Sequence, residues 1–407
     1  MNTSKKSLAL KASKDLILSV LALVIYNGVL QLVIYPSLNK AMGETAFGTV
    51  LYLISIVSIM GAGFGTAASY SRMVAKKDRT ETNGDYNIFL LIIAAISTVV
   101  TFIALLSIKE LNPVYYALLL VLMIATVFRY YADVEYRMNI KFVNYFLFFL
   151  SVAVGYVAGL GVYHFTKNWV LVILLGELAG LVFTCIVGSI FKAPFLIRSD
   201  SFDANMKSVW TISASNLVAA MALHADKIIL HPMVDSRSVT IFYTASLIGK
   251  IVAMLTTPLN GIIISYFTNY KIKLTRRIFS LMCLAALALS IVGAGVCMFV
   301  SYVFVKLFYP NLLAEASGYF FLANLGQILY FISGSLMVIL LSFTKEKSQL
   351  LINLIYGATF LVLLIPATHF FGLMGMAVGL VVVNLIRLLV TAVFGMNALE
   401  KESKQAD

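Results

Sequence analysis

Apolar residues recur in runs of about 20 positions, parted by short polar breaks, at residues 16–36, 47–70, 86–107, 114–134, 142–165, 169–191, 208–231, 239–268, 278–305, 317–343, 350–371 and 374–395. Within each run the apolar positions are nearly continuous. At 1.5 Å per residue such a run spans the roughly 30 Å hydrocarbon core as a helix. Strands of a membrane barrel would alternate apolar and polar positions over about ten residues. The pattern therefore predicts an all-α polytopic membrane protein with twelve transmembrane helices. The first run follows Lys5, Lys6, Lys11 and Lys14 as a secretory leader would, yet it lacks a small-residue cleavage pattern and opens a long series. It is read as a retained span.

Composition agrees. Of 407 residues, 61% are apolar and 12% charged, and the mean hydropathy is +0.96, so little chain is left for a soluble domain. The net charge of +12 changes meaning once it is mapped. Twenty-one of the 30 Lys and Arg residues fall in the two tails and every second loop, among them Arg72 to Arg79, Arg276, Arg277 and Lys401, Lys404. The intervening loops hold only Lys40, Lys109, Lys167, Arg237 and Lys306. By the positive-inside rule both termini are cytoplasmic. Cations dispersed over seven short segments do not form the contiguous basic face that nucleic acid needs, so no such partner is expected. Cys185, Cys283 and Cys297 lie singly in apolar runs, with neither a disulfide framework nor a metal or redox spacing.

The longest central connection, residues 192–207 (KAPFLIRSDSFDANMK), divides the chain into a six-helix lobe at 1–191, a cytoplasmic linker at 192–207, a second six-helix lobe at 208–395 and a polar cytoplasmic tail at 396–407. The halves look duplicated. A shift of 196 residues lays Tyr35-Pro36 over His231-Pro232 and Phe47 over Tyr243. Two parallel six-span repeats are an arrangement used by alternating-access transporters, which predicts two pseudo-symmetric lobes around a central cavity.

In layout the whole chain resembles the oligosaccharide flippases of the multidrug, oligosaccharidyl-lipid and polysaccharide exporter superfamily. The resemblance is carried by MGETAFGTVLYLISIVSIMGAGFG (42–65), with its Gly, Phe-Gly and long second helix. It is carried also by ADKIILHPMVDSRSVTIFYTASLIGKI (225–251), where an Asp-basic pair precedes an apolar patch, a short outer loop and a Tyr-containing helix. It implies movement of an undecaprenyl-pyrophosphate-linked oligosaccharide between leaflets of the bacterial plasma (inner) membrane, for cell-surface polysaccharide synthesis. Implied partners are that polyprenyl-pyrophosphate-linked oligosaccharide, membrane lipids, and the glycan polymerase and glycosyltransferases of the same pathway.

Ionisable side chains inside spans cost about 2.5–3.5 kcal/mol on insertion scales and normally face protein or a hydrated cavity. Here they are Arg129, Lys227, Lys250 and Arg387 against Asp133, Glu177 and Asp226. A cavity that moves a diphosphate should be cationic, so Lys250 is the foremost candidate ligand, supported by Arg129, Arg387 and Lys227. Alternatives stand beside this. Arg129 and Asp133, four apart, can pair within one helix, and Arg387 can snorkel to water. Asp226 and Lys227, being adjacent, point apart and make poor partners. Asp226 suits an outer-gate salt bridge or ion coupling, and Glu177 a structural acid or a coupling site. Asn27, Gln31, Asn216 and Asn260 can bind sugar hydroxyls or simply join helices. Pro258 and Gly61, Gly63 and Gly65 can bend helices at a lipid portal or serve close packing.

The chain lacks a P-loop, HExxH, GxSxG and any acidic metal cluster outside the spans, so no enzyme activity, cofactor or metal is expected. A membrane glycan polymerase or ligase would need a large outer loop. The nearest rival is a multidrug antiporter of the same superfamily, which would favour acidic cavity residues. The link after the second span (SRMVAKKDRTETNGDYN) also lacks the major-facilitator signature.

Overall fold

The computed structural model describes residues 2–110, 112–252, 274–341 and 346–406, which are almost wholly helical. Helix α1 begins at Asn2 and continues through a π-helical turn at Val29–Ile34 to Met42. Helix α2 runs from Glu44 through a π turn at Gly61–Gly65 to Asp78. There follow α3 (Asn83–Ser107), α4 (Pro113–Ala132, extended by Val134–Met138), α5 (Phe142–Thr166) and α6 (Trp169–Val187). Then come α7 (Phe202–Met233), α8 (236–252), α9 (Arg276–Phe308) and α10 (Phe320–Leu341). Helix α11 starts at Glu346 and passes a π turn at Phe360–Leu364, and α12 occupies 373–406. Between α11 and α12 the chain turns at Gly372, whose φ of 56° and ψ of −133° no β-carbon-bearing residue adopts without strain.

Helix starts follow local chemistry. Thr82 and Asp85 close a capping box on α3, while Asn112, Asn168 and Thr275 accept from backbone amides at the starts of α4, α6 and α9. Among the described residues, nine stretches are long and apolar enough to cross a membrane. One of them, Leu351–Leu399, contains α11 and α12 together. Helix α7 stands where expected, although His224, Asp226 and Lys227 dilute its apolarity. The eighth run is helical to 252; its remainder, with Pro258 and Asn260, lies outside the described residues. The expectation of an all-α, twelve-helix polytopic membrane protein is met.

The chain divides into two compact units, Met1–Gly43 with Thr49–Ile228, and Glu44–Gly48 with Ile229–Asp407. In the first, α5 and α6 approach through small residues. A β-carbon on Gly155 would stand 2.8 Å from Gly176 Cα, and one on Gly159 would stand 2.5 Å from Val172 O. The connection from α6 to α7 is fastened to the start of α3. Asp85 accepts from Ser199 N (2.8 Å), Ser199 Oγ (2.6 Å) and Asn205 Nδ2 (2.9 Å), and Asn83 and Asn87 donate to carbonyls between Ser189 and Phe195. Glu135 likewise accepts from the amides of Ser189 and Ile190. In the second unit Phe47 packs edge-on against Tyr243, and Thr240 donates to Glu44 O.

Candidate functional site

Polar chemistry inside the first unit centres on Arg129 of α4 and Glu177 of α6, which are 4% and 2% exposed. Arg129 Nε donates to Glu177 Oε2 at 2.6 Å and Nη2 to Oε1 at 3.2 Å, a two-point match of guanidinium to carboxylate. Tyr156 of α5 donates to Glu177 Oε1 at 2.7 Å, and Tyr26 of α1 accepts from Arg129 Nη2 at 3.2 Å. The guanidinium also lies over the rings of Tyr130 (4.0 Å) and Tyr26 (5.2 Å). Four helices thus converge on one ion pair. The small residues of α6 make room for it, since a β-carbon at Gly176 would overlap the Tyr156 ring.

Two sequence expectations change here. Arg129 does not pair with Asp133, because Glu177 on the neighbouring helix offers both oxygens to the fork. Asp133 instead takes Arg137 (3.3 Å) and the Ser69 hydroxyl (3.0 Å). Asp226 and Lys227, expected to point apart, do come within ion-pair distance. Although neighbouring side chains leave a helix about 100° apart, the long lysine stem curls back to put Nζ 3.5 Å from Asp226 Oδ1.

In the second unit Arg387 of α12 has a different setting. Its Nη1 donates to Tyr330 O of α10 at 3.3 Å, and its guanidinium lies against the adjacent rings of Tyr330 (4.9 Å) and Tyr356 (4.8 Å), whose centroids are 6.2 Å apart. At 7% exposure it is buried and does not snorkel. Its Nε has no hydrogen-bond partner, and no carboxylate lies within 4.0 Å of it among the described residues. The unpartnered Nε edge of a buried guanidinium is suited to a planar or tetrahedral oxyanion.

The other candidates are spread out. Lys250 sits half-buried near the end of the described part of α8. Asn27 bonds back to Leu23 O of its own helix. Gln31 lies in the π turn of α1, with Oε1 buried and unpartnered. Asn216 donates at 3.4 Å to Ala62 O in the π turn of α2. Gly61, Gly63 and Gly65 form that turn, where β-carbons would strike Tyr130, Leu217 and Val127 O, so they serve close packing within the unit.

Sequence reading passed over the tyrosines that wall both arginines, since Tyr counts as apolar in the periodicity. It also placed Arg72 in a loop. The structure buries Arg72 in α2, bonded to Glu81 (2.7 Å), Asn83 (2.8 Å) and Tyr131. The run of charges at 76–79 had obscured it.

No family model matches the chain, and no curated protein matches it. Solved structures do. An inward-facing multidrug resistance transporter of the MATE family, in the MOP superfamily, superposes with a TM-score of 0.69 at 13% identity, covering 94% of this chain and 99% of that one. The lipid II flippase MurJ in an inward closed conformation gives 0.69 at 14% identity, over 94% and 86%. The Vibrio cholerae MATE transporter VcmN in its bent form gives 0.58 at 14% identity, over 98% and 99%. At these identities the likeness is one of fold alone: the chain has the fold seen in these MATE transporters and in the lipid II flippase.

Proposed function

We propose that this protein is a flippase that moves an undecaprenyl-pyrophosphate-linked oligosaccharide across the bacterial plasma membrane by alternating access, without enzymatic chemistry. The observation that carries the reading is a charge imbalance in the spans. Each acid there, Asp133, Glu177 and Asp226, has a basic partner within 4.0 Å, while Arg387 is buried with no carboxylate partner among the described residues. An uncompensated buried cation is costly and calls for an anion during the working cycle. A diphosphate supplies one. Lys250 and Arg387 are the proposed ligands of the phosphates, with Lys227 supporting. Arg129 is held by Glu177 in this conformation, so the pair is proposed as a gate or coupling element. Gln31, Asn27, Asn216 and Asn260 are the proposed sugar contacts. The two six-helix lobes, joined by 192–207, and cytoplasmic termini are part of the same proposal.

A second reading, a multidrug antiporter, is favoured by the MATE structures among the neighbours. It calls for a carboxylate free to meet a cationic drug, and the span acids above are all paired.

Vesicles reconstituted with the protein and a fluorescent polyprenyl-diphosphate oligosaccharide separate the two. Transbilayer movement by wild type, lost in Arg387→Gln and Lys250→Ala, supports the flippase. Failure of folded wild type to move a sugar-matched substrate, together with efflux of a cationic dye down an imposed ion gradient, establishes the antiporter instead.

A further inference from the structure

An open groove of about 340 Å³ lies in the first unit between the end of α2 and the first turns of α7, lined by Arg79, Ala204, Lys207, Ser208, Thr211 and Ile212. Its walls are tied together. Arg79 Nη1 donates to Ala204 O at 3.0 Å, Thr80 bonds to Ser201, and Ser71 donates to Ser208 at 3.2 Å. The first bond holds the guanidinium in place and leaves its other edge unpaired. The last leaves the Ser208 hydroxyl proton for a ligand oxygen.

Neither Arg79 nor Lys207 has a carboxylate within 4.0 Å among the described residues, although Asp78 and Asp203 lie near them in the chain. Two cations and a hydroxyl thus line one groove, and neither cation is ion-paired among the described residues. The groove also sits where the apolar runs ending at 70 and beginning at 208 give way to polar chain, the level of lipid headgroups. Val74 and Trp210 remain exposed on the two helices, as lipid-facing and interfacial side chains are. Basic pockets between transmembrane helices at this level accept anionic headgroups.

We propose that this groove binds the phosphate of an anionic phospholipid headgroup. Arg79 and Lys207 neutralise the phosphodiester, Ser208 donates to one of its oxygens, and Ile212 borders the glycerol. A zwitterionic headgroup would bring a third cation into a site that already has two. Occupancy of the site would brace α2 against α7.

The test uses the full chain purified in detergent, with bound lipid counted by native mass spectrometry after addition of phosphatidylglycerol or phosphatidylcholine. Wild type should retain phosphatidylglycerol at least about fivefold better than the double variant Arg79→Gln/Lys207→Gln, with phosphatidylcholine retained equally by both. Lys109→Gln/Lys167→Gln, which removes the same charge elsewhere, should behave as wild type, and matched melting curves establish that all variants fold. Inorganic phosphate is the competitor. Displacement of phosphatidylglycerol at millimolar phosphate would assign the site to soluble phosphate and overturn a lipid site. Equal phosphatidylglycerol retention by wild type and the Arg79/Lys207 variant would overturn the site altogether.

Discussion

Two buried arginines, alike in their tyrosine surroundings, differ in one partner, and the difference sets opposite expectations. Arg129 is neutralised by Glu177, so Arg129→Met leaves a buried carboxylate alone and should cost about 3–5 kcal/mol. Adding Glu177→Leu should return most of that loss, because a matched apolar pair replaces a matched ionic one. Melting in detergent across the double-mutant cycle measures the coupling, and additive losses would sever the proposed link. Arg387 has rings but no acid. Arg387→Met should therefore stay within about 1 kcal/mol of wild type, since the cation–π contribution of about 2 kcal/mol it forfeits is offset by removal of an unpaired charge. Substrate movement should nevertheless fall to background. A large stability loss with transport intact would make Arg387 structural.

Helix pairing depends on which glycines are pressed against a neighbour. On α5, Gly159 faces the α6 backbone at Val172, whereas a β-carbon on Gly161 would meet nothing within 4 Å. Gly159→Ala must push backbone away from backbone, at about 1–3 kcal/mol. Gly161→Ala, two residues on, should be neutral or stabilise by up to about 1 kcal/mol through helix propensity. Comparable melting shifts for the two variants would show that α5 and α6 pack otherwise. The three π turns belong to this scale as well. Each lies inside a long apolar helix, and hydropathy does not register the one extra residue that makes a π turn.

For the whole molecule, the connection at 192–207 reads in sequence as a hydrophilic linker, yet Asp85 and its asparagine neighbours anchor it. Asp85→Ala removes the acceptor of three hydrogen bonds from this connection, besides the capping-box bond from Thr82, each worth about 1.5–3 kcal/mol when one partner is charged. Limited trypsin cleavage at Lys192 and Arg198 should then accelerate at least about tenfold; an unchanged rate would mean the anchoring lies elsewhere. Topology has its own check. With native cysteines removed, Lys167→Cys should react with an impermeant thiol reagent added outside intact cells, and Lys141→Cys only after lysis. The reverse pattern would invert the proposed orientation.

Hydrophobic run length and the placement of cations suffice for a helical membrane protein and for the position of nearly every span, because hydrocarbon imposes the same demand on each segment irrespective of its neighbours. Partnership is another matter. That Arg129 takes Glu177 rather than Asp133, and that Arg387 is left against two tyrosine rings with no acid, are outcomes of which helices lie side by side. Side chains 48 and 57 residues apart meet only through packing. A linear pattern carries the cost of a charge in the membrane, while the tertiary structure decides whether that charge already has a counter-charge or must find one in a ligand.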